Sequence, residues 1–162
     1  MTESGKNTAE CCPPFDTSAW NNKLHVWTDK LFVKDSVKTF LYAPLNFGKV
    51  ITRLMKTIEQ SGASSPDWMG LSEHISKWKM DIYVAVDKEV AGTENHKFSG
   101  KYYSMVFEGN FNESGKWLKQ FGKHLNSLNY SASRQFMWYT TCPKCAKKYG
   151  KNYVVILAQL EG

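Results

Sequence analysis

With 162 residues, 42 % of them hydrophobic and 22 % charged, the chain has the size and composition of one folded domain with a real core. No apolar run approaches the roughly 18 residues of a membrane-spanning helix, so no membrane partner is expected; Met1 to Glu10 has no apolar signal stretch, and a cytoplasmic location is predicted. The net charge of +6 raises nucleic acid as a partner, but the lysines are dispersed and the only arginines are Arg53 and Arg134, so specific nucleic-acid readout is not expected.

Residues 1–15, ending at Pro13-Pro14, read as a flexible arm. Residues 16–36 form an aromatic-rich segment in which Trp20, Leu24, Trp27 and Leu31 recur at helical spacing, giving either a short helix or an irregular aromatic wrap. Val37 to Tyr42 reads as a strand stopped by Pro44. Asn46 is a candidate cap for a helix to about Gln60, with Ile51, Leu54, Met55 and Ile58 on one face. Gly62 to Pro66 closes it, and a weak strand is expected near Met69 to Ile75. A stronger strand covers Met80 to Val86, with Ile82, Val84 and Val86 on one side and Tyr83 and Ala85 on the other. Asp87 to Gly100, polar and glycine-containing, reads as a connection.

The order then repeats. Tyr102 to Phe107 is a strand, and Glu108-Gly109-Asn110 a turn. A helix runs from Asn112 to about Leu128, with Trp117, Phe121, Leu125 and Leu128 opposite a solvated stripe of Lys116, Lys119 and Lys123. Strands at Phe136 to Thr141 and Tyr153 to Leu160 complete the pattern. The predicted class is α+β: two strand–helix–strand–strand units forming a pseudo-symmetric antiparallel sheet with two helices packed on it, the domain proper being residues 37–162.

The middle of the chain carries a resemblance. Met80-Asp81-Ile82-Tyr83-Val84-Ala85-Val86-Asp87 is similar to the "D-x-x-V-x-V" strand of the GyrI-like proteins, which include effector domains of multidrug-sensing regulators. Gly100 and the segment Tyr103 to Phe111 resemble the family's strand and "G-P-Y"-like turn, with Asn110-Phe111 in place of Pro-Tyr. Phe136 to Pro143 resembles the family's "E-x-Y-x-x-D-P" strand end. The resemblance implies an aromatic groove between the two units that binds small hydrophobic, planar or cationic organic molecules, with Tyr83, Tyr103, Phe107, Glu108, Trp138 and Tyr139 as the ligand-binding residues. Trp138 and Tyr139 are neighbours on one strand and must face opposite sides; the match puts Tyr139 in the groove and Trp138 behind it. The family's ligand-binding glutamate aligns with Met137, so another carboxylate must serve, and Glu108 and Glu73 are the candidates. Two other roles follow from the same resemblance. One is a hydrolase of strained or electrophilic hydrophobic compounds, with Glu108 as its catalytic acid or base; the other is an effector domain acting with a DNA-binding partner.

Cys142-Pro143-Lys144-Cys145 is the metal candidate. A structural zinc would need Cys142, Cys145, one of Cys11 or Cys12, and a histidine such as His25. The adjacent Cys11-Cys12 pair makes a poor second knuckle, so no cofactor is expected. No G-x-S-x-G, H-E-x-x-H or phosphate-cradling glycine loop is present. The ligand's identity and the oligomeric state are not encoded in any motif.

Overall fold

A computed structural model describes residues 16–65, 69–110, 113–140 and 153–161. The cysteines, Phe111, Asn112 and Thr141 lie outside these residues, and with them the metal candidates Cys142 and Cys145 and the predicted start of the second helix. The elements are a single 3-10 turn at Thr17–Ala19, then β1 (Lys23–Phe40), β2 (Ala43–Pro44), α1 (Phe47–Gln60), β3 (Gly70–Ser76) and β4 (Lys79–Ala85). β5 (Glu94–Glu108), α2 (Ser114–Ser127), β6 (Ala132–Tyr139) and β7 (Tyr153–Leu160) follow. The α+β class holds, with antiparallel pairing and one helix packed on the strands of each half.

The chain divides into two compact units. The N-unit is Val26–Gly100; the C-unit combines Met1–His25 with Lys101–Gly162. The divisions fall inside β1 and inside β5, and the sequence-based boundary at residue 37 also falls inside β1.

In the N-unit the strand order is β2-β1-β4-β3. Val33 and Val37 of β1, with Met80, Ile82 and Val84 of β4, meet Val50, Leu54 and Ile58 of α1. The helix forms because its apolar positions recur every three or four residues and give it one buried stripe. Asn46 does not cap it through its side chain. Its Oδ1 instead accepts from the Lys38 N–H at 2.9 Å, tying the helix entry to β1.

In the C-unit the order is β6-β7-β5. Register sets three rows on the face that α2 covers: Phe107–Val154–Tyr139, Met105–Ile156–Met137, and Tyr103–Ala158–Gln135. Trp117, Phe121 and Leu125 of α2 pack on them, and Trp117 stacks on Phe107 at 5.7 Å. Gly109 ends β5 at φ +142, and a Cβ there would lie 2.7 Å from a Glu113 carboxylate oxygen and 3.3 Å from the Trp117 ring. The Glu113 side chain can swing aside, but the backbone angle and the packed Trp117 cannot adjust cheaply. Gly109→Ala should therefore cost roughly 1–2 kcal/mol, measured by urea denaturation; an unchanged midpoint would show that the turn relaxes freely.

Two elements differ from expectation. Residues 23–36 are strand, not a helix or wrap: Val26, Trp27, Phe32 and Val33 favour an extended chain, which pairs with β4 from Phe32 onward. The residues before Gly100 belong to β5 from Glu94 onward, where His96 and Phe98 point inward between polar neighbours.

Candidate functional site

In the C-unit, Tyr103, Phe107 and Tyr139 lie on the α2 face, inside or at the margin of the helix–sheet core. Phe107 and Tyr139 flank Val154 in one row, while Tyr103 is two rows away, so the three do not converge. The Tyr103 hydroxyl instead meets His124 Nε2 at 2.9 Å, with the Tyr130 ring 5.6 Å away. Burial raises the Tyr103 and Tyr139 phenols above their usual range, so both are protonated hydrogen-bonding groups at neutral pH. Met137, at the position of the family's glutamate, is packed with Met105 and Ile156 in the same core.

The opposite face of the C-unit carries Tyr102, Ser104, Phe136 and Trp138. Burial pushes the Tyr102 phenol up to about 12, with Arg134 pulling in the other direction. Trp20 and His25, from the segment ahead of the resemblance, lie here as well. Trp20 meets Trp138 edge-on at 5.0 Å and His25 at 4.5 Å. The Ser104 hydroxyl donates to the Trp20 carbonyl at 2.6 Å, so its oxygen accepts from His25 Nε2–H at 2.8 Å. Burial, helped by Lys23, depresses the His25 pKa and keeps the ring neutral. With its proton committed and no exposure to solvent, Ser104 is a structural anchor for this segment and not a nucleophile. Glu108, the candidate carboxylate, is exposed at the end of β5, on this face and not with Tyr103 and Phe107.

The N-unit holds a buried carboxylate. Asp81 is 4 % exposed and is the one buried carboxylate among the described residues. It lies on the face of β4 away from α1, opposite Ser36 on β1 and Glu73 on β3. The Ser36 hydroxyl donates to its Oδ1 at 3.0 Å, and Lys34 Nζ and Lys79 Nζ stand at 3.5 and 3.8 Å. Lys34 is the informative partner. Its ammonium also lies 3.7 Å from the Glu94 carboxylate and 5.9 Å over the Tyr83 ring. Desolvation works against its charge, but the Tyr83, Asp81 and Glu94 groups outweigh that and raise its pKa above the usual lysine range. Tyr83 is itself 2 % exposed and held in an aromatic layer with His96 and Phe98, which fixes the ring beneath the cation. A cleft of about 340 Å³ opens beside this cage, lined by Lys34, Asp35, Ser36, Arg53, Thr57, Thr93 and Glu94 among others. The Arg53 guanidinium donates to the Asp35 carboxylate at 3.2 Å on its wall. Among the described residues, no group of three or more histidine, cysteine, aspartate or glutamate side chains is arranged to hold a metal, and no helix is long and apolar enough to cross a membrane.

Asp81 and Tyr83 both meet Lys34, which lines the cleft, and each of the two units carries the strand–helix–strand–strand order of an α+β fold. The chain belongs to the bacterial hydrolase family, whose sequence model matches residues 2–160. No curated protein matches it in sequence. Among solved structures it is similar to the C-terminal domain of EcmrR, at 8 % identity and a TM-score of 0.69, covering 88 % of this chain and 98 % of that one. An uncharacterized conserved protein from Listeria innocua matches at 12 % identity and 0.66, and a hydrolase from Listeria innocua at 10 % and 0.59; each covers 87 % of this chain and 92 % of its own. At these identities the likeness is one of fold.

Proposed function

We propose that this chain binds a small organic molecule carrying a positive charge, with Asp81 as the buried counter-charge and Tyr83 as the aromatic floor. The observation that carries the reading is the position of Lys34, whose ammonium fills a cage of two carboxylates and a tyrosine ring at the edge of an open cleft. A tethered cation in such a cage marks where a free one would sit. A volume of about 340 Å³ suits a compact ligand. Ligand binding would displace the Lys34 side chain, which is one quarter exposed and can swing into solvent.

The test is calorimetric titration with quaternary ammonium and phosphonium compounds against neutral isosteres of equal size. Lys34→Met should raise cation affinity by about tenfold while leaving the neutral compounds unaffected, since it removes the competing ammonium. Equal binding of charged and neutral compounds, or no gain in Lys34→Met, would refute the cage as the site.

A second reading is hydrolysis, favoured by Glu73 standing directly across β3–β4 from Asp81 and by the family's description. Two facing carboxylates can divide the work: one accepts a proton from water while the other donates one to the leaving group. The same titrations followed for product would reveal it, since Glu73→Gln should abolish turnover and retain binding.

A further inference from the structure

One end of the N-unit carries a patch that the ligand reading does not use. The β1–β2 turn and the β3–β4 turn lie side by side, joined by hydrogen bonds from the Thr39 N–H to the Trp78 carbonyl at 3.0 Å and from the Tyr42 N–H to the Lys77 carbonyl at 3.1 Å. From these paired tips project Phe40, Leu41, Tyr42, Leu45, Ile75 and Trp78, each between 50 % and 67 % exposed. Phe40 and Trp78 touch edge-on at 5.6 Å, so the side chains form one surface and not scattered points. Contiguous exposed apolar surface of this kind marks an interaction site.

The turn itself sharpens the point. Phe40 pairs with Ala43, which leaves Leu41 and Tyr42 as a two-residue loop with φ +48 and +73. Loops with two left-handed residues favour Asn-Gly, because a side chain with a Cβ is strained there. Here two bulky apolar residues hold that conformation and are turned outward at the apex, which is costly for folding and useful only to something they meet.

Charge selects the partner. Residues 38–49 and 74–79 contain Lys38, Lys49, Lys77 and Lys79 and no aspartate or glutamate. Exposed aromatic and aliphatic side chains at two joined turns, interspersed with the exposed Lys38 and Lys77, match the interface of a bilayer with anionic headgroups, where Trp and Tyr settle at headgroup level and lysines meet phosphate.

We propose that the paired tips dock the protein reversibly on an anionic lipid surface. Such docking needs only a few side chains at the headgroup boundary. The test is co-sedimentation of the full chain with phosphatidylcholine vesicles with and without phosphatidylglycerol, across a range of salt. The wild type should pellet only with the anionic vesicles and be released as salt rises. Trp78→Ser should reduce pelleting at least tenfold. Lys38→Glu with Lys77→Glu should reduce it more steeply, at roughly fivefold for each lysine lost. Far-UV circular dichroism of both variants should match the wild type, since all three positions are exposed. Pelleting that ignores lipid charge, no pelleting at all, or variants that pellet as the wild type does would overturn the proposal. So would a dimer in sedimentation velocity that Trp78→Ser dissociates, because the tips would then serve a second copy of the chain.

Discussion

Asp81→Asn is expected to lower the affinity for an organic cation by about thirtyfold or more while leaving the fold intact. The substitution keeps the shape of the side chain, and its Oδ1 can still accept the Ser36 hydroxyl. What it removes is the only buried negative charge among the described residues. The folded protein tolerates the change because both lysine partners reach solvent: their side chains are 25 % and 52 % exposed, so neither is stranded in a dry interior. Ion pairs of that exposure contribute at most about 1 kcal/mol each. Affinity should therefore fall much further than stability, as read by calorimetry and by chemical denaturation of the same preparation. If Asn at this position bound the cation as tightly as Asp, the counter-charge would have to be Glu94 or Glu73, and the proposed geometry would be wrong.

The second large effect concerns the C-unit core. Phe121 is fully buried at the centre of α2, among Trp117, Leu125, Met137 and Ile156. Phe121→Ala removes most of a ring from a packed layer and should cost about 3–5 kcal/mol, a large part of the 5–15 kcal/mol that holds a typical domain together. A melting temperature lower by roughly 10 °C is the expected signature. Leu118, one helix face away and 36 % exposed, is the internal comparison: its replacement by Ala should stay within about 0.5 kcal/mol. Similar losses at both positions would mean that α2 is not held by the face assigned to it.

Both helices were legible in the sequence because their signal is local. Leu54 and Ile58 in α1, and Trp117, Phe121 and Leu125 in α2, repeat every three or four residues, and burial follows that repeat. The alternation of Ile82, Val84 and Val86 against Tyr83 and Ala85 was equally plain, since β4 is buried on both faces. The first half of β1 was not. Trp20, Leu24, Trp27 and Leu31 mimic a helical stripe, while Asp29 at φ +49 breaks the two-residue alternation that would have announced a strand. Leu24 and Val26 then face solvent at 46 % and 69 % exposure, which no local pattern foretells.

The site was less legible than the fold. Asp81 stood inside the strand motif, but its importance depends on Ser36, 45 residues earlier in the chain, and on Lys34, which only the β1–β4 register brings alongside. Glu108 was conspicuous in sequence because it ends a strand beside aromatic residues. The pleat turns it away from Tyr103 and Phe107. Tyr83 is placed beside the cation, whereas Tyr139 and Trp138 lie in the C-unit on opposite faces of β6, as neighbours on a strand must.

The strand order of the C-unit has a consequence for synthesis. β7 is the last of its strands to emerge from the ribosome, yet it lies between β6 and β5 and its Val154, Val155 and Ile156 are wholly buried. Until Tyr153–Leu160 has been made, β5 and β6 have no strand to bridge them in this unit, and α2 has only part of its apolar seat. The N-unit, with all its strands and its helix encoded by Gly100, is under no such delay. Translation thus delivers Lys34, Asp81 and Tyr83 well before the C-unit can close, and a stop ahead of Tyr153 would leave one unit finished and the other without its central strand.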